Sequence, residues 1–69
     1  MTPNHLRNAG AALHGPLLVS GLAVNLDVDE RTVQRWLAGT KPIPDNLGNE
    51  IRAVVAKRVA ELGKAVEGL

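Results

Sequence analysis

The 69-residue chain predicts an all-α domain of four or five helices that ends in a long C-terminal helix. Three observations carry that expectation. The hydrophobic 45% is drawn largely from Ala, Val and Leu, with one Trp and no Phe or Tyr, which suits small-residue helix packing better than a sheet core. Between Leu22 and Gly39 the apolar spacing fits two short helices crossing through a tight turn. From Leu47 to Leu69 a further apolar stripe recurs every three or four residues.

The first helix starts at Thr2-Pro3, where a Thr hydroxyl can cap free amides and Pro suits the first helical position. It is expected over about residues 3 to 13, burying Leu6, Ala9 and Leu13 and leaving Arg7 and Asn8 outside. Gly15-Pro16 should stop it and open a second helix from Pro16 to Asn25 or Leu26. That helix turns Leu18, Leu22 and Leu26 inward, keeps Ala23 small for a close helix crossing, and leaves Val19 and Val24 off the stripe. Asp27-Val28-Asp29 forms the turn: Asp27 tolerates a left-handed backbone, Val28 plugs the core and Asp29 caps the next amides. A third helix follows from Glu30 to Ala38, ended by Gly39.

In the loop Thr40-Lys41-Pro42-Ile43-Pro44-Asp45, Ile43 is the only apolar side chain and should tuck into the core. The last helix starts at Pro44 or Asp45 and carries Leu47, Ile51, Val54, Val55, Val59, Leu62, Val66 and Leu69. It spans up to about 25 residues, or roughly 37 Å, with fraying after Gly63. Residues 1–69 thus read as one domain, with a helix-turn-helix over about 16–39 and the C-terminal helix over about 44–69.

A single core of this size is marginal without further support. There is no cysteine, and His5 and His14 lack zinc-ligand spacing, so disulfides and a structural metal are not expected and oligomerisation remains. The apolar runs are expected to be too short to span a bilayer, and Met1-Thr2-Pro3-Asn4-His5 lacks the basic-then-apolar pattern of a signal peptide. A cytoplasmic, nucleoid-associated location is therefore expected. Net charge +1 is a weak pointer to nucleic acid on its own.

The pointer to DNA comes from the third helix, where Glu30, Arg31, Gln34 and Arg35 share the face opposite Val33 and Trp36. Side chains three and four residues apart can meet successive base edges in the major groove: Arg on guanine, Gln on adenine, Glu on cytosine. Arg31 and Arg35 can equally form a solvated face paired with Asp27 or Glu30. The apolar frame of Leu22, Ala23, Leu26, Val28, Val33, Trp36 and Leu37 matches the whole two-helix unit and is more specific than a pair of arginines. Ser20, Thr32, Thr40 and Lys41 stand where they can hold phosphates, joined by the amides near Val19 and Ser20 at the start of the second helix. Trp36, one turn beyond Val33, is expected in the core and not stacked on a base. Ser20 has no partner base, and no glycine-rich phosphate loop is present, so no enzyme, cofactor or catalytic residue is expected.

Leu22-Ala23, Leu26, Val28, Arg31-Thr32-Val33, Arg35-Trp36, Gly39 and Ile43-Pro44 resemble the pattern of the Cro/CI-like (lambda repressor-like) helix-turn-helix proteins of phages and prophages. The resemblance covers about residues 13 to 47. It implies a lambda repressor-like fold and a transcriptional regulator of double-stranded DNA, a repressor acting as a homodimer on an inverted repeat. Two departures stand out. Asp27 occupies a turn position where similar domains usually have Gly, and Leu18 and Val19 stand where they often carry an aromatic and a Gln. The lost Gln removes a phosphate contact and leaves Val19 and Val24 as a surface for a protein partner.

The C-terminal stripe adds a second expectation, because Val55, Val59, Leu62, Val66 and Leu69 recur at four, three, four and three residues like a short coiled-coil seam. That seam is expected to join two copies and set their recognition helices about 34 Å apart. The alternative for the same residues is packing on their own domain, as Leu47, Ile51 and Val54 should do. A competing function keeps the fold without sequence-specific DNA binding: a helical protein-interaction module, antitoxin-like or a phage adaptor.

Overall fold

The computed structural model describes Met1–Leu69, and every regular element in it is helical, with no strand. Helix α1 covers Pro3–His14, a 3-10 turn Gly15–Leu17, α2 Leu18–Leu26, α3 Glu30–Ala38 and α4 Leu47–Val66. Thr2 caps α1, its Oγ1 accepting from the His5 amide at 3.2 Å, with Pro3 in the first turn.

Gly15 ends α1 as expected, at φ 59 and ψ -133, but helical backbone resumes at once. The chain passes through the 3-10 turn straight into α2, giving one helical run from Pro3 to Leu26. By length and composition this run could cross a membrane, which corrects the expectation that no stretch is long and apolar enough. It is sharply bent. In a straight helix Gly10 and Leu22 would lie about 18 Å apart, yet a Cβ built on Gly10 would stand 2.8 Å from Leu22 Cδ1 and 3.1 Å from Leu18 Cβ. The bend lays α1 against α2 and buries Leu6, Gly10, Leu22 and Ala23 between them and the rest of the core. Only a residue without a side chain allows the approach at Gly10. At the bend the His14 ring lies over Gly21, where any Cβ would overlap it, and His14 Nε2 meets Asn25 Oδ1 at 2.6 Å.

Asp27 ends α2 in the left-handed region at φ 54 and ψ 48, the one non-glycine residue with positive φ. The amide of Val28 donates to the Ala23 carbonyl at 3.0 Å and that of Asp27 to Val24 at 3.3 Å. This is the paired bond pattern that closes a helix at a left-handed residue. The same pattern ends α3, where Gly39 has φ 77 and the amides of Gly39 and Thr40 donate to Trp36 and Arg35. Asp29 begins α3 by accepting the Thr32 amide at 2.8 Å.

Helix α4 starts later than expected. Pro44, Asp45 and Asn46 remain in a turn in which the Leu47 amide donates to the Pro44 carbonyl at 3.1 Å. The helix continues through Gly63 and stops at Val66, 20 residues or about 30 Å long. Leu69 therefore falls beyond it.

The core consists of Leu6, Leu22, Ala23, Val33, Trp36, Leu47 and Ile51, with Ala9, Leu18, Val19, Leu26, Val28, Leu37 and Ile43 packed around it. Val19 thus corrects the expectation of an exposed side chain, because the bend at Gly15–Leu17 rotates it toward the core. Val24 stays 80% exposed and Leu17, unremarked in the sequence, is 68% exposed.

Candidate nucleic-acid interface

Two opposed requirements shape α3. Val33 and Trp36 are buried on one side, while Glu30, Arg31, Gln34 and Arg35 are all exposed on an arc of about 140° on the other. None of the hydrogen bonds made by side chains in the molecule uses a side-chain atom of these four residues. Their donors and acceptors face solvent, on a helix held at both ends by the Asp29 cap and the Gly39 closure. Trp36 is 4% exposed, so its ring is walled off from any nucleobase. Its indole N–H is buried without a hydrogen-bond partner.

The residues expected on phosphates divide into two groups. Three hydroxyls already donate within the chain: Ser20 to the Leu17 carbonyl at 3.2 Å, Thr32 to the Asp29 carboxylate, and Thr40 to the Arg35 carbonyl at 3.3 Å. Each has one proton, and to contact a phosphate as a donor it must exchange that bond. Lys41 is exposed and carries no such tie. The amides near Val19 and Ser20 lie in the first turn of α2, directly after the 3-10 turn and without a side-chain cap.

Electrostatics divide this surface. Ser20, Val24, Asp27, Asp29 and Glu30 line one shallow cleft, so three carboxylates stand at the turn ahead of α3. The Thr32 hydroxyl and then the Thr32 amide hold the Asp29 carboxyl below the usual carboxylate range, with Lys41 and Arg31 adding to the effect. The cations lie further along: Arg31 and Arg35 one turn apart on α3, and Lys41 just after it.

The stripe expected at a dimer contact lies on the far half of α4. Val55 is 40% exposed, Val59 62%, Leu62 54% and Val66 56%, while Leu47 and Ile51 are buried in the domain and Val54 is half-buried. Leu69 is fully exposed outside the helix, because the chain leaves α4 at Glu67, so it does not extend the helical stripe. No three His, Cys, Asp or Glu residues are grouped to hold a metal ion.

Two features escaped sequence reasoning: the His14–Asn25 contact over Gly21, and the close approach at Gly10. Their signal was present, because two glycines on neighbouring helices mark a place where backbones meet closely. Comparison with protein-family models, curated proteins and solved structures finds no match to the chain.

Proposed function

We propose that the protein is a sequence-specific, double-stranded DNA-binding transcriptional regulator of the helix-turn-helix type, with α2 and α3 as the two crossing helices and α3 in the major groove. Glu30, Arg31, Gln34 and Arg35 read base edges, and Lys41 together with Thr40 holds the backbone. The observation that carries this reading is the α3 face: four base-competent side chains, exposed and untied, on a short helix whose other face is anchored by Val33 and Trp36. The resemblance to Cro/CI-like repressors, on Leu22-Ala23, Arg31-Thr32-Val33, Arg35-Trp36 and Ile43-Pro44, supports repression of a promoter by a homodimer on an inverted repeat. Exposed Val55, Val59, Leu62 and Val66 supply the dimer face.

Replacing Arg35 by Ala lowers specific affinity by about 1–3 kcal/mol and relaxes the preference at one base pair. A gel shift on DNA from upstream of the protein's own gene measures this. Equal affinity and footprint for the wild type and an Arg31→Ala/Arg35→Ala variant refute base reading.

A second reading, a protein-interaction module that is antitoxin-like or a phage adaptor, is favoured by the exposed Leu17 and Val24 and by the carboxylates around the turn. Salt separates the two readings, because DNA binding weakens steeply with ionic strength and a hydrophobic contact does not.

A further inference from the structure

Helix α4 carries two apolar stripes, and they do not coincide. Leu47, Ile51 and Val54 face the domain; the same face continued outward bears Arg58 and Glu61, which with His14 and Asn25 line a polar cleft. The apolar character passes instead to Val55, Val59, Leu62 and Val66, rotated by about 80° on an ideal helix. The domain cannot cover that second stripe, because α4 runs outward and stretches the molecule to 45 × 23 × 20 Å.

We propose that the occupant of this stripe is a second copy of α4 running antiparallel, in one register whose two-fold axis passes between Ala60 and Glu61. This rests on the reading of α4 as a dimer face and adds its geometry. Antiparallel seams pair unlike heptad positions, and here one register satisfies all four residues: Val59 meets Leu62 of the second copy and Val55 meets its Val66. A two-fold contact must be self-complementary in this way. Each central layer then joins a smaller with a larger side chain, and Ala56 faces Gly63 so that the backbones can approach.

Charge selects this orientation over the parallel one. In a parallel pair Arg52, one layer before Val55, would face its own copy across the seam. In the antiparallel register Arg52 does not meet its own copy, and no like charges are opposed across the seam. The helix dipoles also run in opposite directions. The segments of α4 rooted in each domain, around residues 47–51, then stand about 35 Å apart at 1.5 Å per residue, close to one turn of B-DNA.

The chain has no cysteine, so introduced ones report alone. Val55 and Val66 are exposed, and replacing them leaves the core intact. Full-length Val55→Cys and Val66→Cys variants are mixed under mild oxidation and compared with each variant alone. The antiparallel register predicts a dominant mixed disulfide and little self-crosslinking, because identical positions lie about 16 Å apart along the axis, beyond disulfide reach. Efficient self-crosslinking of Val55→Cys overturns the register in favour of parallel pairing, and a concentration-independent monomer in sedimentation overturns the dimer. A gel shift on the wild type separates the two claims. A mixed disulfide without DNA retardation leaves this inference standing and removes the DNA reading, whereas retardation by a monomer does the reverse.

Discussion

Asp27 and Asp29, two residues apart, do different work. Asp27 holds a left-handed backbone that costs a non-glycine residue about 1–2 kcal/mol, so Asp27→Gly is expected to raise the melting temperature measured by circular dichroism. Asp29 caps α3 through Thr32, and its carboxyl is held below its ordinary value of 3.8 by that hydroxyl and amide. A carboxylate with a depressed folded-state value stabilises the fold above its unfolded value, and that contribution fades as pH falls through the folded one. Thermal stability of the wild type is therefore expected to drop below about pH 4, and Asp29→Ala to flatten that part of the profile. An unchanged profile in the variant removes the assignment. Both roles were legible in the sequence, because the left-handed tolerance and the capping of Asp are local properties of the backbone. The hydroxyl partners of Ser20, Thr32 and Thr40 were not, since each bond depends on where a neighbouring carbonyl or carboxylate comes to lie.

At the scale of elements, α3 was the most legible, with its start, its end and its buried pair all set within eleven residues by Asp29, Gly39, Val33 and Trp36. The bend between α1 and α2 was less so. Gly15-Pro16 signals a break, but whether the chain stops or turns through a 3-10 segment depends on the packing of Gly10 against Leu22 and of His14 over Gly21. Gly21→Ala places a methyl group inside the His14 ring position and is expected to cost about 1–3 kcal/mol, read as a lower denaturation midpoint. A midpoint equal to the wild type shows that the ring moves aside freely. The start of α4 was misplaced by a few residues because Pro44 can open a helix or sit in the turn before one, and the Leu47 amide bond to Pro44 fixes the second case. On α4, Leu62→Glu is expected to leave the helical content unchanged and to abolish dimers in sedimentation, because Leu62 is exposed outside the core and lies in the proposed seam.

The whole molecule is a small bent-helix body with a helix projecting from it, and the two parts depend on each other. Seven buried apolar side chains form a slight core for 69 residues, so association through α4 is expected to contribute to stability. A ligand present at 100 times its dissociation constant adds about 2.7 kcal/mol. The melting temperature should therefore rise with protein concentration, and a constant value over a hundredfold range contradicts coupling of folding to association. Net charge +1 gives little long-range attraction to a polyanion, so the proposed DNA binding would draw its affinity from local cations at Arg31, Arg35 and Lys41 and from base contacts. In the proposed function the α3 face reads DNA sequence. Its most direct test is fluorescence anisotropy on DNA from upstream of the protein's own gene, comparing the wild type with Arg31→Ala/Arg35→Ala at low and moderate salt. Wild-type binding is expected to saturate, to weaken steeply with salt, to prefer that DNA over a scrambled duplex, and to fall at least about tenfold in the double variant. Binding that is absent, indifferent to sequence, or unchanged in the variant contradicts the proposed function.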